Sequence, residues 1–161
     1  MSGALLVVGF GNPLCGDDGV GAAVIERLRE GGLPCGARAE HGGSDSTSLA
    51  GLWDGEREVW CVDALERGTV PGTIHRLEHE ELMALEQSHA SAHRLSLPEN
   101  LRWIALARPD LARVRYRLWG IEPRGLDPGS GLSAEALRAV EAVAREIARA
   151  VEAASDLAGA G

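Results

Sequence analysis

Two stretches of this chain are apolar without interruption, and each leads to an acid. Leu5-Leu6-Val7-Val8 is followed, across the turn from Gly9 to Gly16, by Asp17-Asp18; Val59-Trp60-Cys61-Val62 runs directly into Asp63. A strand with one wet face alternates apolar and polar residues. A strand covered on both faces does not, and such strands belong to parallel sheets flanked by helices. The two runs therefore predict buried strands of a parallel sheet. In an open α/β sheet the ligand crevice lies outside the carboxyl ends of the strands. Two acidic sites far apart in sequence are thus expected to meet at one edge of the fold.

The rest of the chain alternates between strand-like and helix-like periods. Strands are predicted at residues 4–9, 37–41, 58–62, 73–77 and 114–121. A helix is expected from Asp17 to about Arg29, with Val20, Val24, Ile25 and Leu28 on one face and Gly31-Gly32 ending it. Shorter helices are expected at residues 46–53 and 78–85. Ser96-Leu97-Pro98-Glu99 has capping-box spacing with proline near the helix start, although a start at Ser91 with a kink at Pro98 is also open. The last helix follows a Ser133 cap, with Leu137, Val140, Ala144, Ile147 and Val151 recurring at spacings of three and four. This pattern predicts a three-layer α/β/α sandwich around a mostly parallel, twisted sheet of about five strands, of the phosphorylase/hydrolase-like kind. One domain is expected over residues 1–154, with an Ala/Gly-rich, fraying tail at 155–161.

Composition narrows the function. The chain has 161 residues, a formal charge of −8 and no basic stripe, which argues against nucleic acid or an anionic membrane as partner. Cys15, Cys35 and Cys61 are few, odd in number and widely spaced, so neither a zinc pair nor a secreted disulfide framework is indicated. No charged leader or membrane-length apolar run is visible, and a cytoplasmic monomer is expected.

The candidate site residues each have a structural alternative. Asp17 and Asp18 sit at a helix start, where acids cap and gain from the helix dipole. One acid suffices for the cap; that role is assigned to Asp17, leaving Asp18 to face the crevice. Asp63 follows a buried strand, where it can cap a turn or act as ligand or catalyst. Among the five histidines, His93 stands out beside a helix start, and His89 four residues earlier can share its helical face. Two carboxylates and an imidazole suit a borderline ion such as Ni²⁺, Zn²⁺ or Co²⁺. The glycine-rich opening turn is no dinucleotide fingerprint, because Leu14 stands where glycine is required and two acids would repel a pyrophosphate. Cys61 reads as core, and Cys15 as a thiol with no base beside it in sequence. H-E-x-x-H and G-x-S-x-G motifs are absent.

At these residues the chain resembles the hydrogenase maturation endopeptidases. Gly9-Phe10-Gly11-Asn12-Pro13-Leu14-Cys15-Gly16-Asp17-Asp18-Gly19-Val20-Gly21 is similar to that family's opening G-x-G-N-x-L-x-x-D-[DE]-G-x-G. Gly42-Gly43-Ser44, Val62-Asp63-Ala64, Pro71-Gly72-Thr73, Ser91-Ala92-His93, Gly120-Ile121-Glu122-Pro123 and Gly131-Leu132-Ser133 follow in the family's order, so the resemblance spans about residues 4–150. It implies an aspartyl-type endopeptidase that trims the C-terminal peptide of a [NiFe] hydrogenase large-subunit precursor after nickel insertion. The implied metal-contacting and catalytic residues are Asp18, Asp63 and His93, and the nickel would come with the precursor. His41 departs from the acid that relatives often carry before the G-G-T turn. A non-catalytic metal-dependent binding module or maturation chaperone on the same scaffold is the alternative.

Overall fold

The computed structural model describes residues 4–85 and 97–159. Five strands form one sheet: β1 (Leu5–Phe10), β2 (Ala37–Gly43), β3 (Glu58–Ala64), β4 (Ile74–Leu77) and β5 (Arg115–Ile121), in the order β2-β1-β3-β5-β4. All neighbours are parallel except β4, which runs antiparallel along β5. Every residue of β1 is buried, as its unbroken apolar run requires.

Alternate strand residues enter two separate cores. Leu5, Val7, Trp60, Val62, Trp119 and Ile121 face one side, where α1 (Val20–Gly31) and α5 (Ala134–Gly159) pack. Leu6, Val8, Cys61, Tyr116 and Leu118 face the other, against α2 (Leu49–Leu52), α3 (His79–Met83) and α4 (Leu97–Ala107). The layers are thus helix, sheet, helix, as expected from the sequence. No helix among the described residues is long and apolar enough to cross a membrane.

Several local readings differ. The expected first helix opens as a 3-10 turn, Gly16–Gly19, before α1 begins. β3 continues through Asp63 to Ala64, because β5 stays paired alongside: Asp63 lies opposite Gly120, and Ala64 opposite Ile121. On α5, Ser133 does cap the helix, its Oγ accepting the Ala136 amide at 3.1 Å. Leu137, however, is 49% exposed, and the buried stripe instead takes in Ala136, Ala139 and Val143. Small alanines there let α5 lie close to the sheet, so the inward face includes positions that a stripe drawn through the larger residues alone leaves out. The helix also continues through Gly159, which makes residues 155–159 helical where a frayed tail was expected.

α1 is set unusually close to the sheet. A Cβ at Gly9 would stand 2.2 Å from the Gly21 carbonyl oxygen, and one at Gly21 would stand 2.8 Å from that of Val62. Only two glycines facing each other permit this approach. It presses the start of α1 against the ends of β1 and β3, and so sets where the preceding acids sit.

Candidate active site

The chain leaves β1 for α1 on one face and leaves β2 for β3 through α2 on the other. The strand order therefore reverses between β1 and β3, which is the place where open α/β sheets form their crevice. Asp18 comes from the turn after β1. Asp63 comes from the end of β3, one residue past Val62, which pairs with Gly9. The two acids thus rise from adjacent strands at the same edge. His93 lies outside the described residues, as do Ser91 and His89.

Each of these two carboxylates is oriented by the main chain. Asp18 is 3% exposed, and its Oδ2 accepts the Asn12 amide at 2.7 Å. Gly11, with φ of +119°, makes the bend that brings Asn12 back toward it. Asp63 is half-buried, and its Oδ1 accepts the Ala64 amide at 2.8 Å. Hydrogen bonds of this kind fix the orientation of carboxylates that ligate metals. Among the described residues no group of three His, Cys, Asp or Glu side chains is gathered closely enough to hold a metal ion.

Asp17 does not cap its own helix. It is 2% exposed and reaches across the sequence: Oδ2 accepts the Arg124 amide at 2.8 Å and the Ser133 hydroxyl at 2.7 Å, and Oδ1 accepts the Ser133 amide at 2.7 Å. Main-chain bonds from Asp17 to Gly125 (2.9 Å) and from Gly129 to Leu14 (2.8 Å), with a bridge between Cys15 and Pro128, complete the seam. The loop at residues 123–133 is thereby fastened to the opening turn. Cys15 takes part through its backbone. Cys61 is fully buried, and burial, reinforced by the Asp63 carboxylate, pushes its thiol well up, so it stays protonated and is no nucleophile.

Glu122, just past β5, stands out in the sequence only as part of a motif. It is 5% exposed and accepts the amides of Arg67 at 2.8 Å and Thr69 at 3.2 Å, with His75 Nε2 at 3.2 Å from Oε2. Burial pushes its carboxyl up. The hydrogen bonds from Arg67, His75, Thr69 and Gly68 outweigh that and hold it below the usual glutamate range. His41 is on the surface with its Nε2 2.5 Å from Glu26 Oε1.

Comparison with known proteins agrees with this architecture. The family model described as hydrogenase maturation protease matches residues 24–150. The hydrogenase 2 maturation protease of Escherichia coli K12 is 30% identical over 131 residues, covering 80% of this chain and 79% of that protein. The solved hydrogenase maturating endopeptidase HybD of E. coli superposes with a TM-score of 0.77 at 26% identity, covering 96% of this chain and 94% of that one. The [NiFe] hydrogenase maturation protease HybD of Thermococcus kodakarensis gives a TM-score of 0.68 at 26% identity, covering 98% and 99%. The chain belongs to the hydrogenase maturation protease family, and it is a peptidase.

Proposed function

We propose that this peptidase removes the C-terminal peptide of a [NiFe] hydrogenase large-subunit precursor once nickel has been inserted, and that it recognises the nickel itself. The observation carrying this reading is the rise of Asp18 and Asp63 from adjacent strand ends at the point where strand order reverses. On this reading Asp18, Asp63 and His93 supply oxygen and nitrogen donors to an ion already held by the precursor's thiolates. Carboxylates and imidazole alone grip nickel moderately, whereas thiolates hold it firmly. Loaded precursor is therefore bound well and empty precursor poorly, so that cleavage waits for the metal. The ion belongs to the substrate, and the enzyme works as a cytoplasmic monomer.

Nickel-loaded and metal-free precursor, each mixed with purified enzyme and run on a denaturing gel, test the reading. The loaded form should shift in mobility and the empty form should not. Asp63→Asn should leave the far-ultraviolet circular dichroism spectrum intact and slow processing at least about a hundredfold. Undiminished cleavage by that variant removes Asp63 from the reaction. A stable complex with no size change in either form would instead favour the chaperone reading.

A further inference from the structure

The segment that leaves β3 after Asp63 is tied down along its whole length by the end of β5. The Leu65 amide donates to the Ile121 carbonyl at 3.0 Å. The next anchor is Glu122, whose carboxylate takes the amides of Arg67 and Thr69. Its carbonyl takes the Gly72 amide at 2.8 Å, and its own amide donates to the Thr73 carbonyl at 2.9 Å. His75 Nε2 adds contacts to Glu122 Oε2 at 3.2 Å and to Thr69 Oγ1 at 3.1 Å. One buried residue gathers residues 67–73 with its side chain and both of its main-chain groups.

Burying a carboxylate carries a desolvation cost that a surface loop does not need for stability alone. Here the anchor stands beside the exit from the strand that carries Asp63. Ala64 lies opposite Ile121, so Glu122 is the residue that follows that pair, just past the end of β5. The Asp63 carboxylate takes the Ala64 amide, which couples its orientation to the peptide plane entering the anchored segment. We propose that Glu122 is a positioning residue for the peptidase reaction: by holding residues 67–73 it fixes the orientation of Asp63. The inference rests on the proposed role of Asp63. Displacements of about 1 Å at a reacting group cost on the order of a hundredfold in rate, so an anchor at this point is felt in the chemical step.

The test uses Glu122→Gln, which keeps the side-chain length and one acceptor oxygen but turns an NH₂ group toward amide donors. With nickel-loaded precursor, kcat should fall about 10–100-fold, the range for residues that orient reacting groups, while KM stays within about threefold. Hydrogen exchange at the Arg67 and Thr69 amides should accelerate. Glu122→Asp restores the charge one methylene short and should recover part of the lost kcat. If Glu122→Gln does not fold, Glu122→Asp decides alone: a reduced kcat at unchanged KM supports the inference, and a wild-type kcat overturns it. A wild-type kcat in folded Glu122→Gln, or a loss confined to KM, also overturns the inference. Absence of processing by the wild-type enzyme removes the proposed function and this inference together, while unchanged kcat beside an active wild type removes this inference alone.

Discussion

Replacing Asp17 by Asn exchanges a charged acceptor for a half-donor that faces two main-chain amide donors. In the native protein both carboxylate oxygens are committed, to the Arg124 amide, the Ser133 amide and the Ser133 hydroxyl. Asn can keep its Oδ1 on the Ser133 amide, a bond weakened from charged to neutral. Its Nδ2 then faces the Arg124 amide, donor against donor, and orphaning a buried donor costs about 1–3 kcal/mol. The Ser133 hydroxyl can turn to accept from Nδ2 with its second lone pair while keeping the Ala136 amide, so the Arg124 amide is the donor left without its partner. Relief from burying a charge offsets part of the loss, and the net destabilisation comes to about 2–4 kcal/mol. For a domain of this size that lowers Tm by about 4–16 °C. Urea unfolding followed by tryptophan fluorescence is the assay, with a lower midpoint and an unchanged slope expected. A double-mutant cycle of Asp17→Ala with Ser133→Ala should also return a coupling above about 0.5 kcal/mol. A shift within about 0.5 kcal/mol for Asp17→Asn, the range of ordinary surface substitutions, would refute the claim that this side chain fastens the late loop.

Three further outcomes follow from the geometry. Gly9→Ala sets a Cβ 2.2 Å from the Gly21 carbonyl oxygen; backbone against backbone cannot yield, and a loss of about 3 kcal/mol or more is expected by chemical denaturation. Gly31→Ala, with nothing within 4 Å of the added atom, should instead stabilise by about 0.4–1 kcal/mol in the same assay. Glu56 gives the pH dependence: burial pushes its carboxyl up, but hydrogen bonds from Arg38 (2.6 Å) and the Asp54 amide (2.8 Å) win and hold it below the usual glutamate range. Its folded value lies below its unfolded one, so its stabilising effect is full above the unfolded value and fades as pH falls through the folded one. Urea midpoints measured from neutral pH down to about pH 3 should decline, and Glu56→Gln should flatten part of that decline; an equally steep decline in the variant would exclude Glu56.

The parallel sheet was legible because β1 and β3 are apolar at every position that both covering layers touch, a pattern no half-exposed strand produces. The edge carrying Asp18 and Asp63 followed from strand direction alone. The long reach of Asp17 was hidden for a physical reason. A carboxylate at a helix start has a local use, and nothing local reveals that its partners lie 107 and 116 residues away. Glu122 is similar, since its partners at Arg67 and Thr69 are 55 and 53 residues distant. Leu137 fell on the wrong face because large apolar residues dominate a periodicity, while the packed face of α5 uses alanines.

The seam between the opening turn and residues 123–133 has a consequence for biosynthesis. The first strand emerges from the ribosome early, yet the bonds that complete the turn after it need Arg124 and Ser133. Contacts of such long range close late. A chain that stops before residue 124 can lay down β1, β2 and β3 and still leave the turn that carries Asp18 unfastened. The turn that carries Asp18 is thus completed only once the loop at residues 123–133 has been made.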